Sequence, residues 1–115
     1  MLGRSKTSNK AGKIDTLIGE SSQIKGDLIF SGGLHIDGTI QGNIIAENDE
    51  NSVVSLSERG VIEGEVRVPN IVLNGTVKGD VYASQHIELA ENAQVSGNVY
   101  YKLMEMARGA EVNGS

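Results

Sequence analysis

Two histidines, fifteen carboxylates and no cysteine are what this 115-residue chain offers for acid–base, nucleophilic or metal chemistry. A zinc site needs several His, Cys or carboxylate ligands gathered within about 2.0–2.3 Å of one ion. His35 lies between Leu34 and Ile36, and His86, which precedes Ile87, is 51 residues further on. Both are expected on the surface, about three coils apart in the repeat described below. Glu47, Asp49 and Glu50 crowd one segment, but a calcium loop needs a longer, more regular run of ligands. The pairs Glu63 with Glu65 and Glu88 with Glu91 read as solvated faces. The steps Gly26 Asp27 and Gly79 Asp80 lack the tandem Gly-Gly of calcium-binding nonapeptide solenoids. No serine sits in a recognisable nucleophile turn. No catalytic, metal-binding or cofactor-binding residue is assigned, and no cofactor is expected.

The elements that would have to position such residues are set by one phrase: aliphatic, any, Gly, any, aliphatic. It recurs as Ile24 to Leu28, Ile40 to Ile44, Ile62 to Val66, Val77 to Val81 and Val95 to Val99, and begins again at Val112 Asn113 Gly114. Successive copies start 16, 22, 15, 18 and 17 residues apart, a repeat with one insertion. Around each phrase the chain alternates strictly: Ile71, Leu73, Gly75, Val77, Gly79, Val81 and Ala83 against Val72, Asn74, Thr76, Lys78, Asp80 and Tyr82. Period two puts one side of a strand inward and the other toward water.

Before each phrase the gap between inward aliphatics is four residues (Ile36 to Ile40, Leu73 to Val77) or six (Ile18 to Ile24, Leu56 to Ile62, Leu89 to Val95, Met106 to Val112). Both are even, so the chain turns a corner without inverting its faces. Fifteen glycines spread through the units argue against helices, because each costs roughly 0.8–1 kcal/mol relative to Ala in a helix interior. Hairpins at Asp37 Gly38 and Asn74 Gly75 would leave the identity between units unused. The fold class is therefore all-β: a single-domain parallel β-helix of about six coils over residues 14–115, behind a disordered basic tail at 1–13. The acidic segment before Val53, where the spacing stretches to 22, is expected to bulge from a corner as a solvated loop.

Composition supports a thin aliphatic lumen rather than a globular core, with 30 Ile, Leu and Val residues but only four aromatics. The whole chain carries −5 and residues 1–13, with Arg4, Lys6, Lys10 and Lys13, carry +4, leaving −9 for residues 14–115. An acidic body of this kind is not expected to bind nucleic acid, which requires clustered Lys and Arg on the folded surface. Without a signal-like or membrane-spanning apolar run, a cytoplasmic location is expected.

The ordered set Ile14 Asp15 Thr16 Leu17 Ile18 Gly19, Ile24 Lys25 Gly26 Asp27 Leu28, Leu34 to Ile44 and Gly79 Asp80 Val81 Tyr82 Ala83 resembles the bactofilins, small bacterial cytoskeletal proteins. The resemblance implies a right-handed, three-sided parallel β-helix that polymerises end to end without nucleotide. It also implies filaments peripheral to the inner membrane that scaffold cell-shape, envelope, cell-division or chromosome-segregation factors. Met1 Leu2 Gly3 Arg4 Ser5 Lys6 is similar to the family's proposed membrane-targeting start, with Leu2 where Phe is frequent. Met1, Leu2, Arg4 and Lys6 are accordingly expected to contact lipid.

No amphipathic helix is legible at either end, and the last copy of the phrase is unfinished. Ile14, Leu17 and Ile18 on one end coil, and Leu103, Met104, Met106 and Val112 on the other, are expected to form the polymer interface. Phe30 is expected inside the first full coil. Two rival readings remain. One is an enzyme on a left-handed β-helix, a hexapeptide acyltransferase or a carbonic-anhydrase-like protein, although those keep a strict six-residue step. The other is a monomeric scaffold binding a peptide through a patch of Val72, Tyr82 and Tyr100.

Overall fold

Each aliphatic-Gly-aliphatic phrase folds as two short strands hinged at its glycine. The computed structural model describes residues 14–47 and 51–114, and among these it contains strands and turns but no helix. The first coil is β1 (Thr16–Ile18), β2 (Gln23–Lys25) and β3 (Leu28–Phe30); the second is β4 (Gly33–Ile36), β5 (Thr39–Gln41) and β6 (Ile44–Ala46). Then follow β7 (Val53–Leu56), β8 (Val61–Glu63), β9 (Val66–Leu73), β10 (Thr76–Lys78), β11 (Val81–Leu89), β12 (Gln94–Ser96), β13 (Val99–Met106) and β14 (Glu111–Val112). All ladders are parallel, and each joins a strand to its equivalent one coil away.

Three faces result. The first runs β1, β4, β7 and then the second halves of β9, β11 and β13. The second is β2, β5, β8, β10, β12 and β14, and the third is β3, β6 and the first halves of β9, β11 and β13. The three long strands turn the corner between the third and first faces without leaving the ladder. Pro69 sits at that bend in β9, where neither neighbouring strand pairs with it, so its missing N–H breaks no ladder bond. At the same corner β11 carries one extra residue relative to both neighbours.

The inward columns are aliphatic ladders. Leu34, Val54, Ile71 and Ile87 stack on the first face, Ile40, Ile62, Val77 and Val95 on the second, and Ile44, Val66 and Val81 on the third, all at most 1% exposed. Full burial of one such side chain contributes about 1.5–3 kcal/mol, so a lumen of them stabilises the fold without large aromatic residues.

The corners explain the glycines. Between the second and third faces, a Cβ on Gly42, Gly64, Gly79, Gly97 or Gly114 would lie inside 3.0 Å of the carbonyl oxygen of the preceding corner glycine. Gly26 heads this column, with φ +124° and open space at its Cβ position. Beside the glycines a polar ladder climbs from coil to coil: Asn43 N–H donates to Asp27 Oδ1, Glu65 N–H to Asn43 Oδ1 and Asn98 N–H to Asp80 Oδ1, each at 2.9 Å. Between the first and second faces, four-residue turns closed by Ser22 N–H to Gly19 O and Gly60 N–H to Ser57 O alternate with the two-residue corners at Gly38 and Gly75.

The insertion between β6 and β7 leaves and re-enters at the corner of the third and first faces. Of its acids, Asp49 lies outside the described residues, as do Asn48 and Glu50. Ser52 at its end is fully buried and holds three coils together, accepting from Gly32 N–H through Oγ (3.2 Å) and from Asn70 Nδ2 through its carbonyl (3.1 Å).

Candidate functional site

The two histidines point outward from the first face, in neighbouring columns. Register places His35 in the column Leu17, His35, Ser55, Val72, Glu88, Glu105, and His86 in the column Gly33, Val53, Asn70, His86, Leu103. His86 Nε2 lies 3.7 Å from Glu105, and no group of three His or carboxylate side chains among the described residues can hold a metal.

His35 does join a chain that the sequence reading missed. Its Nε2 lies in hydrogen-bond contact with Asp37 Oδ1 at 3.0 Å, and its Nδ1 with the Ser55 hydroxyl at 3.2 Å. A hydrogen bond from Ser57, with His35 and then Arg59 nearby, holds the Asp37 carboxyl below its ordinary value. The order Asp, His, Ser is that of a hydrolase triad. Here, though, the backbone N–H groups of β4 and β7 are spent in the ladders, so none converges to hold an oxyanion. The chain instead ties the second coil to the third, as Arg59 does by pairing with Glu20 of the first. The acid pairs stay apart: Glu63 faces Lys78 at 3.9 Å on the second face, while Glu65 pairs with Arg67 at 2.7 Å at the corner beyond.

The ends of the stack carry the unsatisfied groups. Among the described residues β1, β2 and β3 have a partner strand on one side only, as do β13 and β14. At the first end Ile18 is 6% exposed and lies in the lumen, Leu17 heads an outward column at 62%, and Ile14 precedes β1 at 58%. Ile24, Leu28 and Phe30 are half-buried and pack on the core from the same coil. At the other end Met104, Met106 and Val112 occupy the inward columns above Ile87, Leu89 and Val95, and Met106 is 52% exposed. Leu103 ends an outward column, 63% exposed. Tyr101, which sequence reasoning passed over, stands in the inward column above Ala83, with 53% of its surface exposed. Met1, Leu2, Arg4 and Lys6 lie outside the described residues.

The third face presents one outward residue per coil: Ile29, Ile45, Arg67, Tyr82 and Tyr100. The rings of Tyr82 and Tyr100 stack with centroids 4.6 Å apart, and the Arg67 guanidinium lies 4.1 Å from the Tyr82 centroid. Partial removal from water, then the charge of Glu65, raises the Tyr82 phenol above its ordinary value. Val72 belongs to the first face, so it forms no patch with the two tyrosines.

With this geometry the comparisons agree. A family model described as bactofilin, polymer-forming cytoskeletal, matches residues 16–115. The chain is similar to bactofilin BacO of Myxococcus xanthus (strain DK1622), 29% identical over 101 residues that make up 88% of this chain and 77% of that protein. It is also similar to bactofilin BacP of the same organism, 24% identical over 100 residues, 87% of this chain and 40% of the relative. The chain therefore spans less than half the length of that second relative. No solved structure matches at comparable significance.

Proposed function

We propose, for a chain that belongs to the bactofilin family of polymer-forming cytoskeletal proteins, that it assembles end to end without nucleotide into filaments that serve as a scaffold. The family is structural and not enzymatic, which removes the acyltransferase and carbonic-anhydrase readings. The observation that carries end-on assembly is that, among the described residues, β1, β2, β3, β13 and β14 pair on one side only, beside half-covered apolar columns. Such an edge is a template for a further parallel or antiparallel strand. Adding one forms ladder hydrogen bonds and buries apolar surface, so the step runs downhill without a phosphate donor. The surfaces involved are Ile14, Leu17 and Ile18 at one end and Leu103, Met104, Met106 and Val112 at the other.

The test is sedimentation velocity at several protein concentrations with no nucleotide present. Species that lengthen with concentration are expected; a protomer or a discrete trimer at every concentration would overturn the proposal.

The filament is placed at the inner face of the bacterial membrane, serving envelope, cell-division, cell-shape or segregation factors. Met1, Leu2, Arg4 and Lys6 are the lipid contacts proposed. Near an anionic surface each basic residue of the tail contributes about 1 kcal/mol, so one protomer binds weakly. A filament carries one tail per protomer and binds by avidity. Full-length protein is expected to co-sediment with anionic liposomes and a variant starting at Lys13 to remain behind; equal sedimentation would remove the tail from the account. No helix among the described residues is long and apolar enough to cross a membrane.

A further inference from the structure

The three tyrosines of the chain gather at one place on its surface, where Tyr82, Ala83, Ser84, Tyr100, Tyr101 and Lys102 line a hollow of about 300 Å³. It lies on the last two strands of the third face, where that face bends toward the first. Ala83 contributes only a methyl group to the lining, and Ser84, at the extra residue of β11, is exposed beside it. Tyr82 and Tyr100, outward partners in register, stack at 4.6 Å into a continuous wall. Arg67 backs that wall from the preceding strand, 4.1 Å from the Tyr82 ring and tied by Glu65 at 2.7 Å. Tyr100 and Tyr101 stay 47% and 53% exposed, so these rings are not core residues.

Charge is laid out unevenly around the hollow. None of its lining residues is acidic, and among the described residues the Lys102 ammonium pairs with no carboxylate. The Tyr100 hydroxyl accepts from Asn98 Nδ2 at 3.3 Å, which leaves its own proton to donate. A cation and a hydroxyl proton thus stand beside bare ring surface in a chain that is acidic overall. Tyrosine grouped in a pocket is a residue type that concentrates binding energy in interfaces. The far edge of the wall differs, since Glu65 and Asp80 lie near enough to Tyr82 for their charge to act on its phenol. A broad anionic surface would be repelled there, whereas a narrow chain can bring one carboxylate to Lys102 and keep clear of both acids. The volume stands at the low end of the range of about 300–1,000 Å³ for ligand pockets, and suits a single large side chain.

We propose that this hollow binds an acidic peptide segment of another protein, seating one apolar side chain against the tyrosine rings and Ala83 and setting a neighbouring carboxylate on Lys102. The inference goes beyond the scaffold reading above, because binding here needs no polymer. Tyr82 and Tyr100 face outward, and Ser84 and Lys102 stand at the corner, whichever coil is added at an end. Ring contact supplies most of the affinity, and the carboxylate fixes the orientation of the peptide.

The chain has no Trp and its only tyrosines line this hollow, so two optical signals belong to the site alone. The probe is a peptide carrying a single Trp flanked by Glu, with counterparts in which Gln or Lys replaces every Glu. Anisotropy of the Trp reports binding, and transfer of tyrosine emission to it reports the place. Saturable binding of the Glu peptide with loss of tyrosine emission is expected, and the Gln peptide should bind roughly five-fold more weakly. Lys102→Glu should weaken the Glu peptide roughly ten-fold and strengthen the Lys peptide, a reversal that a merely structural role does not produce. Lys25→Glu makes the same charge change on β2 of the second face and should leave binding within about two-fold. Met106→Lys, a replacement at the end of the stack, should bind the Glu peptide as the unmodified chain does.

Absence of saturable binding by the Glu peptide overturns the inference, as does an equal loss from Lys25→Glu or an unreversed preference in Lys102→Glu. Transfer of tyrosine emission to vesicles of dansyl-labelled phosphatidylglycerol, without binding of the peptide, overturns it in favour of a membrane. Binding that appears only when the chain pellets as polymer overturns the independence from assembly. If no polymer forms and the peptide still binds, end-on assembly has failed and the role of the hollow stands.

Discussion

Gly64→Ala is expected to destabilise the protomer by roughly 3 kcal/mol or more, about a 10 °C or larger fall in Tm for a domain of this size. Two terms add. Gly64 has φ +155°, where an L side chain is strained, and a Cβ there would lie inside 3.0 Å of the Gly42 carbonyl. That carbonyl belongs to the corner between β5 and β6, each paired with strands on both sides, so it cannot move far without disturbing the coil. Two companions separate the terms. Gly26→Ala meets the unfavourable φ of +124° but nothing within 4 Å, and should cost about 1–3 kcal/mol. Gly19→Ala meets neither obstacle and should fall within about 0.5 kcal/mol of the unmodified chain. Denaturant unfolding of all three checks the order; Gly64→Ala unfolding alongside Gly19→Ala would sink the account of the glycine column.

The second large effect is on assembly. Met106→Lys places an ammonium in the inward column above Leu89, and Val112→Asp places a carboxylate above Val95. In the isolated protomer both positions reach water, Met106 being 52% exposed, so folding should be nearly unaffected. In an end-on joint the charge would be covered and unpaired, which costs several kcal/mol. Loss of about 3 kcal/mol at each joint corresponds to a rise of more than a hundred-fold in the concentration needed for polymer. Short species by light scattering and electron microscopy are the expected result, and long filaments from either variant would remove this end from the interface. The same variants provide the monomeric background in which the glycine series is best measured.

Most of the fold is legible before any coordinates. The glycine phrase and period-two alternation determine which residues face inward, and the even corner gaps carry that facing round the first turn. The parallel coils follow, as do the burial of Leu34, Ile36, Ile40 and Ile44 and the outward histidines. What sequence could not supply is register at the remaining corner. There the chain needs one residue at Pro69, two at Ser84 and Gln85, and a long insertion before Val53, so no even-gap rule applies. Tyr101 is hidden for that reason: it looks like the neighbour of an outward tyrosine and proves to be the end of an inward column. The link from His35 to Ser55 is hidden because it depends on which residues 20 apart come to lie side by side. Val72 and Tyr82 group together only by both being outward, which period two gives; that they occupy different faces depends on the bend between them.

The nested corners carry a consequence for how such a chain can change length. Gly38 tucks beneath the turn of Gly19 and Ser22, and Gly75 beneath that of Ser57 and Gly60, each too close to those carbonyls to admit a side chain. A wide turn and a narrow corner fit as lid and box through the first four coils. Removing a wide turn from this region would set narrow on narrow and leave a glycine without the turn it is tucked beneath. Removing a matched pair would not. Wide already lies on wide in the last two coils, where the turns closed by Ala93 N–H to Ala90 O and Ala110 N–H to Ala107 O stack. Within the first four coils the segment that keeps the alternation when duplicated, deleted or exchanged is therefore two turns of the solenoid, twice the period that the repeated phrase displays.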